Sequence, residues 1–354
     1  MPAGQGGNKA QRELSPSASE FFSYAAGLRM RTADFDYHLP GELIASEPPA
    51  ERGTSRMLVV DRASRSITDA LFTSLPALLS PDDLLVLNDT RVVPARFFSN
   101  DGRKELLWLA DAGERRWRCM VRPGRKMRPG DRIEIGSCTG IVLEIVEPGD
   151  RIIEFDQLPD KHRQGHLALP HYMGREEKPQ LDRERYQTVF AREEGSVAAP
   201  TAGLHFTPEL LASLPHEFIT LHVGPGTFQP LRVENPDDHV MHTEPYEIAP
   251  AAARRIAAAK RVVAVGTTVT RVLEHVALTH DGIVPGHGST NIFIRPGHEF
   301  RRVDCLLTNF HLPQSTLLML VSAFADRDLI LAAYQHAIQQ RYRFYSYGDC
   351  MFIR

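Results

Sequence analysis

The residues of this chain best suited to chemistry are histidines set among glycines and threonines. Ala198-Ala-Pro-Thr-Ala-Gly-Leu-His-Phe206 carries Thr201, Gly203 and His205. Leu221-His-Val-Gly-Pro-Gly-Thr-Phe228 carries His222, Gly224, Gly226 and Thr227. An imidazole takes or gives a proton near neutral pH. Threonine hydroxyls donate and accept hydrogen bonds. Glycines adopt φ > 0 freely and let backbone approach a ligand closely. Either segment alone also reads as a tight turn with no ligand; the two together point to a site. Asp238-His-Val-Met-His-Thr-Glu244 adds His242 and Glu244 as acid/base candidates. His239 and His242 have the spacing of a helical metal pair, but no third ligand follows at a usual spacing, so a metal is set aside. A solvated loop is the plainer alternative for this segment.

Further polar turns follow apolar runs. Gly266-Thr267-Thr268 comes after Val262–Val265 and opens a helix, which would aim backbone N–H groups at a ligand. Asn88-Asp89-Thr90 comes after Leu84–Leu87. Asp89 suits a ribose hydroxyl or an amine, and equally suits an Asx-turn closing the strand. In Thr308-Asn-Phe-His-Leu-Pro-Gln-Ser-Thr316, Asn309 and His311 would face the same strand ends as Gly266, while Ser315 or Thr316 caps the next helix. Tyr342–Asp349 crowds aromatics before a Gly-Asp turn, for base stacking or for core packing. Between Arg103 and Arg132 ten Lys or Arg stand against four acids. Arg122, Arg125, Lys126 and Arg128, near Trp117, could meet a phosphate backbone or form a solvated hairpin rim.

These side chains need a scaffold, and 354 residues suggest two domains. An apolar content of 42% and a charged content of 24% are those of a soluble globular chain. The net charge of −3 announces no nucleic-acid partner globally, although a local patch would suffice. The four cysteines show no metal spacing and read as reduced thiols of a cytosolic protein. No run is long enough to span a membrane, and no secretory signal opens the chain. Residues 1–29 read as a disordered or additional tail before a start at Met30. From Asp34 the pattern is α/β, with strands at Met57–Val60 and Leu84–Leu87 and a short helix over Leu71–Leu79. Short β-like runs with Pro-Gly punctuation fill residues 95–165 and suggest an inserted small β-barrel domain. Residues 166–354 return to α/β. Strands are expected at Ile219–Val223, Val262–Val265, Asn291–Ile294, Val303–Leu307 and Cys350–Ile353. Helices are expected at 208–214 with Thr207 as N-cap, Ala249–Lys260, Thr267–Ala277, Thr316–Ala325 and Asp328–Arg341. The fold class is therefore α/β: a layered domain of residues 30–94 and 166–354, with a mostly parallel or mixed sheet, interrupted by the barrel.

Taken together, several strings resemble one family. They are Phe35-Asp-Tyr-His-Leu-Pro40, Leu87-Asn-Asp-Thr-Arg-Val-Val-Pro-Ala-Arg96, Val121-Arg-Pro-Gly124, Arg185-Tyr-Gln-Thr-Val189, Ala198–Phe206, Leu221–Phe228, Met241-His242, Val265-Gly-Thr-Thr268, Leu307–Leu320 and Phe344–Asp349. The chain from Met30 onward resembles the S-adenosylmethionine:tRNA ribosyltransferase-isomerases of queuosine biosynthesis. That resemblance implies an α/β domain interrupted by a β-barrel. It implies transfer and isomerisation of the ribosyl moiety of S-adenosylmethionine onto 7-aminomethyl-7-deazaguanine at the tRNA wobble position. Epoxyqueuosine-tRNA, adenine and methionine would be the products, S-adenosylmethionine being a substrate with no cofactor beside it. It further implies a cytoplasmic monomer whose partner is that tRNA. The chemistry calls for a base, a proton donor and a held amine. His205, His222, His242 and His311 are the candidates for proton transfer, with Asp89 or Glu244 orienting an amine. Asn88, Thr90, Arg91, Thr201, Gly203, Gly224, Gly226, Thr227, Gly266, Thr267, Thr268, Asn309 and Asp349 are the candidates for substrate contact. The chain departs from the family pattern at Gly224-Pro-Gly226, Thr268-Val-Thr-Arg-Val272 and Ser289-Thr-Asn-Ile292. Another S-adenosylmethionine-dependent RNA-modifying enzyme would show a Gly-rich loop after its first strand, and none follows Met57–Val60. A non-catalytic RNA-binding protein would leave the Gly/Thr/His turns without a purpose.

Overall fold

The computed structural model describes residues 30–147, 149–174, 178–228, 231 and 233–354, without the side chains of His171, Thr227 and Phe228. The expectation for a tail at 1–29 lies outside the described residues. In chain order the strands are β1 (Arg56–Asp61), β2 (Ser66–Leu71), β3 (Asp83–Asn88), β4 (Thr90–Val92), β5 (Arg96–Phe98), β6 (Glu105–Asp111), β7 (Arg116–Arg122), β8 (Arg132–Ile135), β9 (Cys138–Glu147), β10 (Asp150–Phe155), β11 (Glu193–Ser196), β12 (His216–Leu221), β13 (Glu244–Ile248), β14 (Arg261–Val265), β15 (Gly286–Thr290), β16 (Cys305–Asn309) and β17 (Cys350–Ile353). The helices are α1 (Leu75–Leu78), α2 (Lys161–Gln164), α3 (Pro179–Arg185), α4 (Pro208–Ala212), α5 (Pro250–Ala258), α6 (Thr267–His280), α7 (Thr316–Ala325) and α8 (Arg327–Gln339).

Nine strands form one mixed sheet in the order β15-β13-β12-β3-β14-β16-β17-β1-β2. Its centre, β12-β3-β14-β16, is parallel. Both faces of that centre are covered, so its strands are apolar without alternation. Leu84, Val86, Ala264 and Leu306 pack with α5, α6, α7 and α8 on one face. Leu85, Leu87, Val263, Val265 and Leu307 pack with Phe72, Phe206 and Leu211 on the other. Helix α7 is apolar nearly all round because it lies buried among other elements, with Ser315 Oγ accepting from the Leu318 N–H at its start. Thr207 caps α4 in the same way, as expected.

The strands between residues 96 and 155 form a separate antiparallel sheet in the order β5-β6-β7-β10-β9-β8. It is nearly closed into a barrel. Asn100 crosses the open seam: its N–H donates to Glu134 O at 2.9 Å, and its side chain trades two bonds with Gly136 at 2.7 and 2.9 Å. Phe97, Trp117 and Phe155 stack in its core, with ring centroids 5.0 and 5.2 Å apart. Where the chain enters and leaves this sheet, Arg96 and His166 exchange both backbone hydrogen bonds.

One expectation of the sequence needs correction. Asn291–Ile294 is not a strand, because the pairing falls earlier, at β15. Strand β15 is polar and carries no hydrophobic alternation, so only the backbone edge of β13 recruits it. Strands β2 and β13 were likewise invisible in the residue pattern, since β2 is largely exposed and β13 alternates charge with isolated apolar residues. All four cysteines are free and buried, and among the described residues no helix is long and apolar enough to cross a membrane.

Candidate functional site

The turns singled out by residue type gather at the carboxyl ends of β14 and β16, where open α/β sheets take ligands. Gly266 leaves β14 with φ of 96°, a conformation that costs a side chain dearly, and its N–H donates to Leu307 O at 2.8 Å. Helix α6 begins directly after it, with no side chain capping its first turn. Thr201, Gly266, Thr267, Thr268, Asn309 and His311 line one cavity. Tyr172, Phe310, Leu317 and Tyr345 give that cavity an apolar wall. Tyr345 has φ of 71°, unusual for a non-glycine residue and the kind of local strain found at functional sites. Its carbonyl accepts from Asn309 Nδ2 at 3.0 Å.

The four histidines divide into two pairs. His205 and His311 are buried, and burial drives their pKa values down, to about 4 and about 3; at His205 the Asn309 side chain opposes the shift and the Arg343 and Arg52 cations add to it. A charged imidazole would have to leave water there without a counter-ion. His311 Nε2 lies 2.9 Å from Thr308 Oγ1, and His205 Nδ1 lies 2.9 Å from Ser55 Oγ. His205 lies outside the main cavity and lines a smaller one beside Ser55 and Gly348. His222 and His242 instead face a groove of about 680 Å³ between the six-stranded sheet and the segments Val223–Pro225 and Val240–Pro245. His222 is half-buried, which lowers its pKa, and its Nδ1 sits 2.8 Å from Thr90 Oγ1. His242 is exposed and packs so closely on Gly226 that a Cβ there would fall 2.1 Å from its ring. Close approach, rather than positive φ, is why Gly226 is a glycine. Gly203 and Gly224 also lack positive φ: Gly203 packs against Phe190 and Thr188, and the Gly224 N–H donates to Glu244 Oε1 at 2.9 Å.

Other candidates hold the scaffold. Asp89 faces neither cavity nor groove: Arg192 bonds its Oδ2 at 2.7 Å and Thr220 its Oδ1 at 2.7 Å. Asn88 extends the β3–β12 ladder through its side chain, donating to Leu221 O at 2.9 Å and accepting from the Leu221 N–H at 3.0 Å. Arg91 is exposed and donates to Ala191 O at 2.9 Å. Asp349 accepts from the N–H groups of Arg56 at 2.9 Å and Arg343 at 2.8 Å, fastening the last strand. The side chain of Thr227 lies outside the described residues. His239 follows a short 3-10 turn and His242 lies in irregular chain before β13, so they do not form a helical pair.

Glu244 is buried and pairs with Arg271, which is equally buried. Arg271 was missed in the sequence because it sits among Val269, Val272 and Leu273 in a helix that reads as core. The one available signal was a cation on the buried stripe just after a ligand-type turn. Tyr172 was also missed, while Thr308, Tyr345 and Ser346 lie in segments singled out but were given no role of their own; all border the cavity.

Arg122, Arg125, Lys126 and Arg128 are exposed, and none of them takes part in an ion pair among the described residues. They adjoin the groove through the Gly149 turn, whose carbonyl accepts from the Val121 N–H at 3.0 Å. Glu147 and Asp150 of that turn line the groove itself.

Residues 32–353 match the model of the queuosine biosynthesis protein family. An S-adenosylmethionine:tRNA ribosyltransferase-isomerase of Solibacter usitatus is 50% identical, over 92% of this chain and all of its own length. One of the same name from Pelobacter propionicus is 49% identical over the same shares. The crystal structure of an S-adenosylmethionine tRNA ribosyltransferase from Thermotoga maritima is 37% identical and superposes with a TM-score of 0.53, covering 91% of this chain and 100% of that one. The chain belongs to the queuosine biosynthesis protein family.

Proposed function

We propose that this protein is an S-adenosylmethionine:tRNA ribosyltransferase-isomerase acting in queuosine biosynthesis. It moves the ribosyl moiety of S-adenosylmethionine onto 7-aminomethyl-7-deazaguanine in tRNA and isomerises it, releasing adenine and methionine. The observation that carries the reading is the cavity at the ends of β14 and β16, joined to an open groove. An apolar, aromatic wall with converging hydroxyls suits a nucleoside, and Thr201, Thr267, Thr268, Asn309 and Ser346 supply the polar groups. The groove suits the tRNA-borne base, and the cations at Arg122, Arg125, Lys126 and Arg128 suit the phosphates beside it. Residues 30–94 with 166–354 act as the catalytic part and residues 95–165 as the inserted barrel. Cytoplasmic action as a monomer completes the proposal, with no separate cofactor, since a sulfonium is already a good leaving group.

Proton transfer belongs to the groove pair. A base for the carbon beside the sulfonium works best with a pKa near the working pH. His205 and His311 are too weak for that, and a cationic substrate would weaken His311 further. His242 borders both the groove and the cavity holding Arg271 and Glu244, and it is the proposed base. His222, held by Thr90, is the second proton-moving group. His311 acts as a neutral hydrogen-bonding group. Incubation with S-adenosylmethionine and tRNA carrying the deazaguanine precursor tests the function. Epoxyqueuosine in the nucleoside digest, with one adenine released for each, is the expected result. Formation of S-adenosylhomocysteine would sink it.

A further inference from the structure

Resting on the placement of the nucleoside in the adjoining cavity, we infer that Arg271 and Glu244 form the subsite for the amino-acid end of the sulfonium substrate. Arg271 takes the α-carboxylate and Glu244 the α-ammonium group.

The inference starts from a cost. Both residues are only 3% exposed. Two charges removed from water repay their desolvation poorly, and an apolar pair of similar volume would stabilise the core as well or better. Arg271 is moreover incompletely satisfied. Its Nη1 pairs with Glu244 Oε2, and its Nε reaches Ile292 O at a long 3.4 Å. Its Nη2 is buried and has no hydrogen-bond partner among the described residues. A buried donor without a partner costs about 1–3 kcal/mol, more when charged. A guanidinium offers five donors in a fixed fork matched to a carboxylate, so the missing acceptor is of that shape.

Position supplies the second argument. Arg271 and Glu244 line a small cavity with His242, Gly226, Thr316 and Leu317. Leu317 also borders the nucleoside cavity, so the two spaces meet at the first turn of α7. That turn carries the positive end of a ten-residue helix, which favours an anion. Among its partners, Glu244 accepts from Arg271 at Oε2 and from the Gly224 N–H at Oε1. Each carboxylate oxygen accepts more than one hydrogen bond, so the group can serve these partners and an ammonium together. A zwitterion brings one charge of each sign, and so does this pair. The sulfonium then lies between the two cavities, beside His242.

The test compares S-adenosylmethionine with its decarboxylated analogue, using adenine release on precursor-bearing tRNA. The wild type should prefer the carboxylated substrate in kcat/KM by between about 10- and 100-fold, the range for a charged hydrogen bond. Arg271→Gln should lose most of that preference, through a raised KM for S-adenosylmethionine with the KM for tRNA unchanged. Arg271→Lys, which keeps a buried cation and the fold, should retain a reduced preference. Glu244→Gln should lose discrimination against the analogue lacking the α-amino group while keeping that against the decarboxylated one. Equal discrimination in the wild type and both Arg271 variants overturns the inference, as does a wild type that does not discriminate. Failure of the nucleoside placement would be seen separately, as an unchanged KM for S-adenosylmethionine in Tyr345→Ala.

Discussion

His205 and His311 are uncharged at neutral pH because burial leaves an imidazolium without water or a counter-ion. That has a consequence in acid. Their folded pKa values, about 4 and about 3, lie below the ordinary 6.5. The unfolded chain therefore takes up protons below pH 6.5 while the folded chain does not, so stability is lost as pH falls from 6.5 toward 4. Each histidine contributes a slope approaching about 1.4 kcal/mol per pH unit in that window. Unfolding by urea should show this slope, reduced by one proton in His205→Gln. An identical slope in that variant would remove the argument. Gly226 offers a second test. A methyl there would collide with the His242 ring, which is exposed and free to swing outward. Gly226→Ala should lower kcat about 10-fold or more, as displaced catalytic groups do, while the urea midpoint stays within about 0.5 kcal/mol of wild type. Equal losses in stability and turnover would show that the glycine serves packing instead.

At the scale of elements, the strands and helices that hold the site were legible where burial wrote a pattern. Leu84–Leu87 and Val262–Val265 are apolar throughout because both sheet faces are covered, and Thr316–Ala325 is apolar because it is enclosed. Edge strands β2 and β15 were illegible because backbone pairing recruits them and little of each is buried, and β13, next to the edge, mixes charged with isolated apolar residues. The two cavities meet at the start of α7, which makes that turn the element to test. Ser315→Ala removes the bond to the Leu318 N–H and should cost about 1 kcal/mol. It should also raise the KM for S-adenosylmethionine with little change in the KM for tRNA. If both KM values move together, the cap supports the fold and not the site. The barrel seam gives a comparable measurement. Asn100→Ala deletes two side-chain bonds to Gly136, at about 1 kcal/mol each, and should lower the denaturation midpoint accordingly.

Across the whole molecule, the groove between the two sheets is the proposed entry for a large substrate. Its lining carries Glu147, Asp150 and Glu194 as well as His222 and His242, so the floor is not itself a phosphate track. The exposed cations of Arg122–Arg128 lie at its side. Replacing Arg125 and Lys126 by Ser should weaken tRNA binding uniformly across sequences. It should flatten the plot of log affinity against log salt by close to one unit for each phosphate that is no longer neutralised. Binding of S-adenosylmethionine should not change. An unaltered salt slope would move the tRNA-binding surface elsewhere on the molecule.

The residues alone determined the alternation of strands and helices, the barrel-like run of short strands, and the turns that could approach a ligand, because burial and turn geometry act locally and leave marks along the chain. They also carried the family resemblance. Only the folded chain decided which polar groups are spent on scaffolding. Asp89, Asn88 and Asp349 looked like site residues and are saturated by partners far away in sequence, at Arg192, Leu221 and Arg56. Arg271 looked like core and instead stands buried beside Glu244 at the edge of a cavity. Hydrogen-bond partners and desolvation depend on distances through space, and no pattern along a single chain encodes them.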